Sequence, residues 1–142
     1  MHITKDQLEE LEFPELLAEI APFAYSPKTA YKITQLTPFS IDEAEVSLKK
    51  VAEFLSSFES DNAIPFNEYE DIEEELKLMV IENFRLENAA FIRIKSLTEQ
   101  IGRLQKFFPV YGDLFQNLNN DISGLEYRKE IIDKIDKVFN RF

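Results

Sequence analysis

Residues 40–58 run SIDEAEVSLKKVAEFLSSF, and this stretch decides the fold class. Ser40 with Glu43 three residues later has the form of a capping box, in which the hydroxyl takes an orphan helix amide and the carboxylate reaches back. Behind it Ile41, Ala44, Leu48, Val51, Ala52, Leu55 and Phe58 recur at spacings of three and four, so they share one helix face. The spacing predicts a long helix to about Ser60, since a strand would alternate every second residue.

The same punctuation extends toward the N-terminus. Thr4-Lys5-Asp6-Gln7 is a second capping box. Pro14 suits the first turn of a helix carrying Leu16, Leu17, Ile20 and Phe23, and Pro22 must kink or stop that helix. Ser26-Pro27 opens a helix to about Leu36, which Pro38 terminates.

Toward the C-terminus, 61–65 predicts a loop, and Ile72, Leu76 and Met79 predict a helix over about 68–81 with an acidic outer face. A long helix is expected from about Leu86 to Phe108, striped by Ala90, Ile94, Leu97, Ile101 and Leu104 and ended by Pro109. Asp113 to Leu118 suggests a short helix, with Asn119-Asn120 as a turn. In the last segment Leu125, Ile132, Ile135, Phe139 and Phe142 follow alternating spacings of three and four once Arg128 is allowed one slot, and Ile131 and Val138 widen the stripe. Ile132, Ile135, Phe139 and Phe142 are therefore candidate partner-binding residues, against the plainer reading of a bundle helix facing its own core. Only three glycines occur and no stretch carries β-type alternation, so the expected fold is all-α, an irregular bundle of six to seven helices, two of them long. Residues 1–142 form one helical domain in this reading, of a size to hold a single core.

Composition narrows the chemistry. The absence of cysteine removes disulfides, thiolate metal sites and thiol nucleophiles, and fits the cytoplasm. No apolar run approaches the roughly 20 residues a bilayer span needs, so no membrane partner is expected. The lone histidine, His2, is at the terminus, and neither glycine-rich nucleotide-binding pattern occurs. No catalytic, cofactor-binding or metal-ligating residue is assigned. Glu70, Asp71, Glu74 and Glu75 could be counted toward a carboxylate site, but a solvated acidic face is the preferred account. Phe107, Phe108 and Tyr111 beside Lys106 could stack on bases, but their place at the end of a striped helix favours the core. A net charge of −11 argues against tight nucleic-acid binding by this chain, although charge runs in blocks, with eight acids and no base from Glu59 to Glu75.

The phrase from Thr4 to Phe13, then Leu16-Leu17, Ile20-Ala21, Ala24 and Ser26, resembles the start of the MutS family of DNA-repair ATPases, in particular its second bacterial paralogue. Leu36-Thr37-Pro38 before Asp42-Glu43-Ala44-Glu45-Val46, Ile64-Pro65 with Asp71-Ile72, Arg85-Leu86-Glu87 and 130–136 continue it. The resemblance implies a non-catalytic connector or lever at the N-terminal side of a longer chain. That parent would be a dimeric ATPase holding ATP and Mg, and contacting DNA, outside this segment. Pro27-Lys28 and Glu82-Asn83 replace glycines of the family pattern, marking a divergent branch. The apolar spacing still running at Phe142 fits a segment whose parent continues. The alternative function is a free-standing acidic helical interaction module.

Overall fold

The computed structural model describes residues 3–59 and 61–139. Among them are eight α-helices and one 3-10 turn, and no strand: α1 Lys5–Glu10, α2 Phe13–Ile20, the turn Ala21–Phe23, α3 Pro27–Thr34, α4 Ile41–Glu59, α5 Glu73–Met79, α6 Asn88–Tyr111, α7 Gln116–Ile122 and α8 Lys129–Phe139. The chain is all-α and irregular, with α4 and α6 as its two long helices, and it has more short helices than the six or seven expected.

The local signals act where the residues place them. Thr4 and Gln7 form the reciprocal capping box of α1, and the Ser26 hydroxyl accepts from the Thr29 amide ahead of Pro27. At α4 the Glu43 amide donates to Ser40 Oγ while Ser40 N donates to the Glu43 carboxylate at 2.9 Å. Pro22 does stop α2, which passes into the 3-10 turn.

Three boundaries differ from the sequence expectation. α5 begins at Glu73, because the Asp71 side chain accepts from the Glu73 amide and caps the chain there instead of continuing a helix from 68. α6 runs through Pro109 to Tyr111. Proline forfeits one backbone bond, and here Phe108 is buried while Phe107 stacks on Phe115 and leans on Tyr111, so aromatic packing holds the last turn together. α7 starts at Gln116 and takes in Asn119-Asn120, the expected turn.

The core lies where α4, α6 and α7 meet. Ile64, Leu104, Phe108 and Phe115 are buried together, with Phe54, Phe66, Phe107, Tyr111, Leu118 and Ile122 packed around them. Phe107, Phe108 and Tyr111 thus close the core. α8 lies along α6, and α1, α2 and α3 pack in sequence beside one another. They join the rest through Tyr25, whose ring is 5.4 Å from that of Phe66, and through Lys28, which pairs with Asp71 and Glu73 at the start of α5.

The molecule is open. Its accessible surface is 11,260 Å², whereas a compact monomer of its 16.6 kDa mass exposes about 7,600 Å².

Candidate interaction surface

Several of the large apolar side chains left exposed belong to α4. The expected apolar face of this helix is present as a stripe but points to solvent: Ile41 is 79 % exposed, Leu48 67 % and Phe58 62 %, with Val51 and Leu55 also more than half exposed. The helix turns a different side inward. Phe54 packs on the core, Ser57 is fully buried, Glu53 caps α7, and Lys50 reaches Asp121 on α7 at 2.7 Å. Residues 50, 53 and 57 share a helix side roughly opposite the stripe, and Phe54 lies between that side and the stripe. Amphipathic spacing therefore identified a face that wants covering, and the described residues leave most of it exposed.

The C-terminal candidates are used differently. Ile135 is buried and Ile132 half-buried, while the Phe139 ring is 6.0 Å from Phe91 on α6. Lys95 of α6 pairs with Asp136 across the same contact. Ile135 and Phe139 thus face α6, as the plainer reading of a bundle helix turned to its own core has it. Phe142 lies outside the described residues. Leu125 precedes α8.

The acidic block is also not a simple solvated face. Leu76 and Met79 of α5 are exposed, and Glu75 just before them is buried. Its carboxylate accepts from Arg93 Nε at 2.8 Å and from Arg93 Nη2, and Glu70 stands 3.8 Å from the same guanidinium. Those hydrogen bonds from Arg93 hold the Glu75 carboxyl below its ordinary value. The acids from Glu70 to Glu75 are therefore paired with cations of the protein's own, Glu70 and Glu75 with Arg93, Asp71 and Glu73 with Lys28, and Glu74 with Lys77. Among the described residues no group of three or more His, Asp or Glu side chains is placed to hold a metal ion. Nor does any buried side-chain nitrogen or oxygen there lack a hydrogen-bond partner.

A second apolar groove runs between the turn after α2, α3 and the segment at Phe66, lined by Ile20, Phe23, Tyr25, Ile33, Phe66 and Tyr69. Phe23 at its rim is 85 % exposed. Among the described residues no helix is long and apolar enough to cross a membrane.

No family model, curated protein or solved structure matches the chain. The MutS-like resemblance therefore rests on the sequence phrases alone.

Proposed function

We propose that this chain is a non-catalytic helical connector, a lever segment of a MutS-like DNA-repair or recombination-control ATPase, working in the cytoplasm. The observation that carries the reading is the open frame. A surface of 11,260 Å² exceeds that of a compact monomer by about 3,700 Å², more than one chain contributes to a standard protein interface. A segment whose long helix α4 keeps an apolar side free is suited to being packed against other helices and to moving with them. Long helices are stiff, and packed interfaces switch between arrangements and do not deform continuously.

Asn83, which stands where the family pattern has glycine, is left-handed with φ 64°, a conformation glycine and asparagine adopt far more readily than other residues. In this reading ATP and Mg are bound elsewhere in a dimeric parent, and DNA contacts belong mainly to that remainder.

Two assays on the isolated chain test the reading together. ATP hydrolysis is expected at background level, and fluorescence anisotropy with labelled duplex DNA is expected to give weak, salt-sensitive binding. Submicromolar DNA affinity at physiological salt would overturn it. The exposed α4 stripe equally favours a second reading, a free-standing interaction module. An ATPase motif in the same reading frame after Phe142 supports the connector; its absence from the full gene supports the module.

A further inference from the structure

The α4 stripe has a regularity that points to one kind of occupant. Ile41, Ala44, Leu48, Val51, Leu55 and Phe58 are separated by three, four, three, four and three residues, the a and d positions of a heptad over almost three repeats. A helix that only needs to cover a core carries a broader, less regular face. A strict seam of this kind is shaped for the knobs and holes of one other helix. Its length from Ile41 to Phe58 corresponds to about 26 Å of helix, so the occupant must be helical over roughly 18 residues.

The residues beside the seam select the occupant's charge. One flank carries Glu45, Ala52 and Glu59, with both acids exposed, and the other carries Ser40, Ser47 and Phe54. Neither flank has a base. A second copy of the chain is poorly matched to this surface. Antiparallel pairing would set Glu45 against Glu59 of the other copy at both ends of the seam, parallel pairing would set both acids against Ser or Phe, and each copy brings a net charge of −11.

We infer that the outward face of α4 is a docking site for an amphipathic helix with heptad-spaced aliphatic residues flanked by lysine or arginine. The aliphatic seam supplies the contact area, and Glu45 and Glu59 choose basic flanks over acidic ones. The inference deepens the reading of the chain as a helix-packing scaffold and does not depend on the MutS resemblance.

The test uses the whole chain and two synthetic 21-residue helical peptides sharing a Leu/Ile seam, one with Lys and one with Glu at the flanking positions. Titration at 0.1 M salt is expected to show the Lys-flanked peptide binding at least about ten-fold more tightly, with the difference shrinking as salt rises toward 1 M. Leu48→Asp with Leu55→Asp should abolish binding of the Lys-flanked peptide while the circular dichroism spectrum is unchanged, because both side chains are exposed. These substitutions add negative charge, so a merely electrostatic association would strengthen instead. Glu45→Lys with Glu59→Lys should reverse the preference between the peptides.

Equal binding of the two peptides, binding indifferent to the Leu48 and Leu55 changes, or no binding of either overturns the inference. So does a dimer in sedimentation equilibrium that Leu48→Asp converts to monomer, since a second copy would then be the occupant. None of these outcomes bears on ATP hydrolysis or DNA affinity, so this inference and the connector reading can fail separately.

Discussion

Glu53 on α4 caps a helix 64 residues away: its carboxylate accepts from the Asn117 amide at 3.0 Å and from Asn117 Nδ2 at 2.6 Å. The Leu118 amide donates to its other oxygen, also at 3.0 Å. One side chain thus satisfies orphan donors of the first turn of α7 and complements the positive end of its dipole. Burial works to raise the Glu53 carboxyl, and the hydrogen bonds from Asn117 and Leu118 outweigh it, leaving the carboxyl below its ordinary value.

Glu53→Ala is therefore expected to cost about 1–2 kcal/mol in urea denaturation at pH 7. The pH dependence has a defined sign. A carboxyl depressed in the folded state adds stability that is complete above its unfolded value of about 4.3 and is lost as pH falls toward the lower folded value. The wild-type chain should accordingly lose more stability than Glu53→Gln on going below about pH 5. Parallel pH profiles for the two proteins would remove the carboxylate from this role.

The Glu53 contact also explains where sequence reading stopped short. The starts of α1, α3 and α4 were legible because Thr4, Ser26 and Ser40 cap their own helices within three residues. The start of α7 was not, because its cap comes from another helix. Pro109 marked a helix end by local rules, and the aromatic contacts of Phe107 that carry α6 beyond it are partly non-local. At α4 the apolar spacing was correct as a pattern. Spacing shows that a face needs a partner, and whether the partner is in the same chain is a property of the packed whole. For α8 the same kind of pattern resolved the other way, with Ile135 and Phe139 turned to α6.

The pair of buried Glu75 and partly exposed Arg93 supplies a second prediction. Glu75→Ala leaves the guanidinium with only the more distant Glu70 and should lower the urea midpoint. Glu75→Leu combined with Arg93→Met should be less damaging than either single change, because neither ion is then left unpaired. A double-mutant cycle checks this, and additivity of the two changes would show that the pair is not coupled.

Gly102 lies in the middle of α6, and a Cβ there would stand 2.7 Å from Tyr127 Cε2. Gly102→Ala gains about 1 kcal/mol of helix propensity but overpacks against the ring at a cost of about 1–3 kcal/mol, so a net loss of stability is expected. With Tyr127→Ala already present the clash is gone, and the same Gly102→Ala change should stabilise. Thermal denaturation of the four proteins tests this reversal; Gly102→Ala stabilising the wild-type background would mean the ring does not pack there.

The central claim is that the apolar seam of α4 faces solvent while the core lies on its other side. Urea denaturation of Leu48→Gln and Leu55→Gln, beside Leu104→Ala, tests it most directly. The two α4 changes should each alter stability by no more than about 0.5 kcal/mol, and the buried Leu104 change should cost about 2–5 kcal/mol. Losses above about 2 kcal/mol at Leu48 and Leu55 in the isolated monomer would place the seam in the core and contradict the account.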